Sequence, residues 1–270
     1  MRDITLEELL EAGCHFGHQV NRRNPRADEY IFEARSNVHI IDLEKTRAGL
    51  EAAAKYLKEL ATNGGSIIIV GTKRQAKDIV EEEVKKAKEQ GAAGLFYITS
   101  RWIGGTLTNF SEVSKNFKKL AEIEEYVSGR KDGGYTKFEL TQMGKEKEKL
   151  LNLYGGVNEM KTTPDALVVI GTQLEQTAVR EAIANNVPTV GIVDTNADPT
   201  VIDYPIPAND DAVGSIKLIT TYLIEAWVEG SKIKNKAEEA RVNAEEKEKA
   251  AALAKAKKDE AAAIARRHAS

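Results

Sequence analysis

The chain has 270 residues, 41% hydrophobic and 30% charged, a globular composition with enough apolar mass for one large or two modest domains. Its 39 Lys and Arg against 42 Asp and Glu give a net charge of −3, so bulk charge argues against nucleic acid, whose usual binder is a basic domain. The single cysteine, Cys14, excludes an internal disulfide framework.

The opening MRDITLEELLEAG carries acids where a secretory leader needs a basic segment and then an apolar run. No uncharged apolar stretch approaches membrane-spanning length. The expectation is a soluble protein of the reducing cytoplasm, with Cys14 a buried filler after a short first helix. Residues 19–26, QVNRRNPR, follow as an extended loop with three arginines and no acid.

Five short apolar runs then recur: 38–43 (VHIIDL), 66–71 (SIIIVG), 94–99 (GLFYIT), 166–171 (ALVVIG) and 189–194 (TVGIVD). Runs without polar alternation suit strands covered on both faces, as in a parallel sheet. Helical patterns at 44–62, 73–90, 173–185 and 211–228 alternate with them, which predicts a doubly wound α/β domain over 1–105 and 157–230. Ligands in such sheets meet the carboxyl ends of the strands. Two of those ends repeat one exit, V-G-T-K at 70–73 and I-G-T-Q at 170–173.

Residues 106–156 break the alternation. Phe110, Val113, Phe117, Leu120 and Val127 keep a three-and-four spacing, and Phe138, Met143, Leu150 and Tyr154 resume a looser one. Joined through Gly129, Gly133 and Gly134, the two stripes predict an inserted antiparallel helical hairpin of coiled-coil type. Residues 231–270 form a charged Ala/Lys/Glu-rich tail with 11 basic and 7 acidic residues, which leaves −7 for residues 1–230. This tail reads as a solvated, partly helical extension that orders on a partner, or as a frayed end without a role.

Catalytic motifs are missing. Gly71-Thr72-Lys73 lacks the loop that cradles phosphate before a P-loop lysine, and neither G-x-G-x-x-G nor a Gly-x-Ser-x-Gly elbow occurs. His15 and His18 make an H-x-x-H with carboxylates available at Asp194, Asp210 and Asp211, a low-specificity metal signal. The basic residues are more telling. Arg22, Arg23 and Arg26 share one loop; Lys73, Arg74 and Lys77 follow one strand; Arg101 and Trp102 follow another; Lys115, Lys118 and Lys119 lie on the first hairpin helix. Such clusters in a net-acidic domain predict an RNA-facing side and an acidic far side.

Nine blocks occur in one order: A-G-x-H-F-G-H-Q at 12–19, N-P at 24–25, Y-I-F at 30–32, V-H-I-I-D-L-E-K-T at 38–46, V-G-T-K-R at 70–74, R-W-I-G-G-T-L-T-N at 101–109, P-D-A-L-V-V-I-G at 164–171, V-P-T-V-G-I-V-D-T-N-A-D-P at 187–199 and I-P-A-N-D-D-A at 206–212. This array resembles the bacterial small-subunit ribosomal protein S2 family over roughly residues 3–228. The resemblance implies a flavodoxin-like sheet with a coiled-coil hairpin. It implies a structural, non-catalytic component of the cytoplasmic ribosome, bound to small-subunit ribosomal RNA near the head–body junction and to neighbouring ribosomal proteins. It also implies help in docking the mRNA-recruiting ribosomal protein S1. RNA contacts then map onto Arg22, Arg23, Arg26, Arg35, Lys73, Arg74, Arg101, Trp102, Lys115, Lys118 and Lys119. Family zinc maps onto His18, Asp194 and Asp210, with no cofactor otherwise required. Arg23 stands where relatives commonly carry an aromatic residue, and Asp28, Glu29 and Glu33 add acid nearby. The competing classes are a metal- or nucleotide-dependent enzyme working in the strand-end crevice and a protein-only scaffold acting through hairpin and tail.

Overall fold

A computed structural model describes residues 2–128 and 134–268, with side chains described up to residue 239 and at 241. Gly129 and Gly133 of the expected interhelical turn lie outside the described residues.

Helix α1 (Leu6–Glu11) starts at a capping box in which Thr5 and Glu8 satisfy each other's backbone N–H. Strands β1 (Phe16–Gln19), β2 (Ile31–Arg35) and β3 (Val38–Ile41) form a small antiparallel sheet in the order β1-β3-β2. Then come α2 (Leu43–Thr62), β4 (Ile67–Val70), α3 (Arg74–Glu89), β5 (Leu95–Ile98), α4 (Phe110–Val127), α5 (Lys137–Tyr154), β6 (Ala166–Ile170), α6 (Gln176–Ala184), β7 (Thr189–Val193), β8 (Tyr204–Pro207) and α7 (Val213–His268).

Strands β5-β4-β6-β7-β8 form a five-stranded sheet, parallel throughout. Counted from its own first strand the order is 2-1-3-4-5, the flavodoxin-like winding. Alternate residues feed two cores. Ile67, Ile69, Val168, Ile170, Val190 and Ile192 meet Leu50 and Leu57 of α2, Val80 and Val84 of α3, and Trp227 of α7. Ile68, Val70, Leu167, Val169 and Val193 meet Ala178 and Val179 of α6 and Val113 and Phe117 of α4. Double burial is why these strands lack polar alternation.

The expected sheet had the right number of strands and one wrong member. The 38–43 run forms β3, not a strand of the parallel sheet. Ser36 (φ 50°) and Asn37 (φ 65°) make a tight turn that pairs β3 with β2 first. The fifth parallel strand is β8, hidden in the sequence by Pro205 and Pro207, which lack the N–H a central strand needs. As an edge strand β8 tolerates both, and α2 covers it: the Thr46 hydroxyl donates to Pro207 O at 2.5 Å. Gly49 permits this approach, since a Cβ there would lie 2.5 Å from Pro205 O.

Within the 106–156 insertion, α4 buries Val113, Phe117 and Leu120 of the expected stripe and adds Ile123, while Phe110 is half-buried and Val127, expected in the stripe, is exposed. On α5 only Tyr154 is buried, and Phe138, expected in the second stripe, is 72% exposed. The helices meet through the Asn116 amide donating to Tyr154 Oη at 3.3 Å and the Lys119–Glu146 and Lys147–Glu124 ion pairs. Helix α7 runs through residue 230 without a break. No helix among the described residues is long and apolar enough to cross a membrane.

Candidate functional site

Parallel strands place all their carboxyl ends on one edge, and the sheet reverses winding direction between β4 and β6. Gly71-Thr72-Lys73 leaves β4 at this switch point, Gly171-Thr172 leaves β6, and Asp194-Thr195 leaves β7. The segment 16–26, strand β1 and the short turns after it, is tied to the same edge. His18 N–H donates to Thr195 Oγ1 at 2.9 Å, Asn24 N–H donates to Thr195 O at 2.8 Å, and Arg26 pairs with Asp198. Gly17 makes the junction close, because a Cβ there would fall 2.6 Å from Thr195 Cγ2.

At this junction His18, Asp194 and Asp210 each offer a donor atom, all within 4.8 Å of one another. His18 Nδ1 lies 3.1 Å from Asp194 Oδ2, and His18 Nε2 lies 3.5 Å from Asp211 Oδ2. Asp194 Oδ1 accepts from the Thr195 N–H at 2.6 Å and the Thr195 hydroxyl at 3.1 Å. Lys73 Nζ sits 2.7 Å from Asp210 Oδ1 and 2.7 Å from Asp211 Oδ1. The contact to Asp211 is a hydrogen bond, whereas the contact to Asp210 is a charge contact outside hydrogen-bond geometry. Burial, and then the neighbouring Asp194 charge, push the Asp210 carboxyl up to about 6. The hydrogen bond that His18 donates to the Asp194 carboxylate holds the imidazole above its usual range against the opposing pull of burial. Burial lowers the Lys73 ammonium, but the Asp210 and Asp211 carboxylates outweigh it and leave a net rise.

One imidazole nitrogen and two buried carboxylates are a donor set that zinc accepts. Asp210 Oδ1 makes no hydrogen bond and is met by the Lys73 ammonium at 2.7 Å, so the fit rests on the donor set, whose atoms lie within 4.8 Å of one another. The residues present therefore fit the group.

The basic candidates divide into two sets. Arg22, Arg35, Arg74, Arg101 and Lys118 are exposed and carry no ion pair among the described residues. Arg23 pairs with Asp28 at 3.2 Å, Arg26 with Asp198, Lys115 with Glu112 at 2.7 Å, and Lys119 with Glu146. Lys73 is the deepest, engaged with Asp210 and Asp211. Arg22 lines a shallow cleft of about 290 Å³ together with His18, Asp194 and Asp211. Arg74 begins α3 and Arg101 follows β5, so Arg22, Arg74 and Arg101 share the carboxyl edge that holds the His18 cluster.

A model of the family described as Ribosomal protein S2 matches residues 9–230. The chain belongs to the ribosomal protein S2 family. Members of this family are structural components of the small ribosomal subunit, in the ribosome of the cytoplasm. The match takes in both sheets, the α4–α5 insertion and the first turns of α7, and it ends inside that helix.

Sequence reading missed one residue of this ribosomal protein S2 fold. Glu181, on α6, turns its carboxylate inward and gathers the loop between β5 and α4. Oε1 accepts from Trp102 Nε1–H at 3.1 Å and the Gly105 N–H at 2.8 Å. Oε2 accepts from the Leu107 N–H at 3.1 Å and from the Thr108 N–H and hydroxyl at 3.4 Å. Trp102, expected among the RNA contacts, is half-buried, packed on the second core and held through its indole N–H. The legible signal was an acid on the buried face of α6, between Ala178 and Ala182.

Burial alone would raise the Glu181 carboxyl, but the donors from Gly105, Trp102, Leu107 and Thr108 hold it below the ordinary range. A carboxyl depressed in the folded state contributes stability above its unfolded value, and that contribution is lost as pH falls through the folded one. Stability is therefore expected to fall as pH drops below about 4.5. Urea titrations should show a shallower fall for Glu181→Gln over the same range; an unchanged acid limb would refute the assignment.

Proposed function

We propose that this member of the ribosomal protein S2 family binds small-subunit ribosomal RNA near the head–body junction, using the carboxyl edge of its parallel sheet as the RNA-facing side. The observation that carries the reading is the set of exposed, unpaired arginines, Arg22, Arg74 and Arg101, gathered on one edge of a net-acidic domain. An unpaired guanidinium meets phosphate without first giving up a carboxylate. Arg35 and Lys118, exposed and without an ion pair among the described residues, are further candidate contacts. Arg23, Arg26, Lys115 and Lys119 exchange an existing partner on binding and contribute less, and Lys73 and Trp102 act from within.

In this reading the sheet domain (1–105 and 157–230) is the rigid support and the 106–156 insertion, as a coiled-coil hairpin, braces a second RNA surface. The 231–270 tail lies beyond the family match and is given no part in RNA binding, and the assembly helps dock ribosomal protein S1. Zinc is held by His18, Asp194 and Asp210. When bound it supplies a structural cross-link between the 16–19 strand and the sheet edge rather than a reaction. The metal- or nucleotide-dependent enzyme gains no support from the fold or the family.

The test is co-sedimentation. Full-length protein from untreated lysate is expected to migrate with small subunits and to leave that fraction after ribonuclease treatment. Migration independent of ribonuclease would favour the protein-only scaffold and overturn the RNA reading.

A further inference from the structure

The loop from Arg101 to Asn109 has almost no regular structure, and most of the hydrogen bonds it donates go to one side chain outside it. Its internal bonds are few: the Thr106 N–H and hydroxyl reach Ile103 O at 3.2 and 2.6 Å, and the Asn109 N–H reaches Gly105 O at 2.8 Å. Gly105 adopts φ +92°, the left-handed region, which turns its N–H inward. The N–H groups of Gly105, Leu107 and Thr108 then converge from one side, together with the Trp102 indole N–H and the Thr108 hydroxyl. Converging backbone N–H groups make an anion-binding concavity. Here the anion is a carboxylate of the same chain, Glu181, delivered from α6 across the second core, with 9% of its surface exposed.

Two consequences follow. These N–H groups are engaged and do not meet a phosphate, so the loop's contact with RNA falls to the outward side chains, Arg101 above all. In addition, the loop joins β5 to α4, so the anchor that fixes Gly105 to Thr108 also sets where α4 leaves the sheet. We propose that Glu181 is a positioning residue: an internal anion that shapes the 101–109 loop so that Arg101 and the start of α4 are presented to RNA in one geometry. The inference rests on the reading of Arg101 as an RNA contact. It assigns the cause of that presentation to a residue that does not itself face RNA.

The test is a double-mutant cycle on the full-length chain, read as affinity for small-subunit ribosomal RNA at fixed salt. Arg101→Ala and Glu181→Gln are each expected to weaken binding about tenfold, and the double variant no further than either alone. Glu181→Gln keeps size and fold while turning one acceptor into a donor that faces N–H groups. Hydrogen exchange should then quicken at Gly105, Leu107 and Thr108 while amides of β4 and β6 stay protected, which separates loop release from unfolding. If Arg101→Ala weakens binding and Glu181→Gln does not, or if the two losses add in the double variant, the positioning role is overturned and the RNA reading stands. If neither single variant changes affinity while exchange in the loop quickens, the reading of Arg101 as an RNA contact fails and the inference with it.

Discussion

Lys73→Met is expected to lower the stability of metal-free protein by about 3 kcal/mol, because it leaves a buried carboxylate without its counter-charge. Asp210 is 1% exposed, and Asp194 beside it is equally buried. Lys73 is the cation 2.7 Å from Asp210 that offsets it, while Asp194 faces His18 at 3.1 Å. The loss sits at the lower end of the range for a broken buried pair, since an Asp210 carboxyl already near 6 can take up a proton. Urea unfolding measures it. The same substitution is expected to tighten zinc binding about tenfold, because the ammonium and the metal draw on the same Asp210 carboxylate. Competition against a chromophoric chelator gives that affinity, and excess zinc should narrow the stability gap between variant and parent. Weaker zinc binding by Lys73→Met would show that Lys73 supports the metal rather than competing with it.

The triple charge reversal Arg22→Glu, Arg74→Glu and Arg101→Glu is expected to weaken binding to small-subunit ribosomal RNA on the order of 10²–10³-fold and to flatten the dependence of log affinity on log salt by about three. All three side chains are exposed and unpaired, so the variant should keep its urea midpoint. A control reversing Arg23, Arg26 and Lys115 should lose less. Those groups sit beside Asp28, Asp198 and Glu112, and part of their charge is already neutralised. Filter binding across a salt series separates the two sets; equal losses would mean that pairing in the free protein does not grade the contacts.

Much of the fold was legible because its signals are local. Continuous β-branched runs at 66–71, 166–171 and 189–194 announce double burial, and helix positions follow from spacing and caps. The two errors in the membership of the parallel sheet share a cause. VHII has the composition of a buried parallel strand, but a tight turn two residues earlier gives it an antiparallel partner. YPIP has the composition of a loop, but the sheet edge excuses its missing N–H groups. Strand pairing is a long-range choice, and composition speaks only to burial. Phe138 shows the same limit on helices: periodicity marks a face and cannot say whether anything covers it.

The candidate site divides along that line. Residue types and strand ends were readable, so His18, Asp194, Asp210 and the basic clusters could be named from sequence. What each charge faces could not. Lys73 and Arg74 are neighbours in the chain, yet one is engaged with two carboxylates at the switch point and the other is free in solvent. Arg26 and Asp198 are 172 residues apart and form an ion pair; Glu181 and Gly105 are 76 apart and share a hydrogen bond.

By itself, then, the sequence determined the layer architecture, the family and the inventory of charged groups, because burial patterns and motif blocks are written in neighbouring residues. The net charge of −3 belonged to that inventory and carried no information about partners. Only the tertiary structure decided which cations are free and which are already neutralised. Electrostatic pairing depends on a few ångströms of separation through a low-dielectric medium, and those distances come into being when segments far apart in the chain meet at one edge of the sheet.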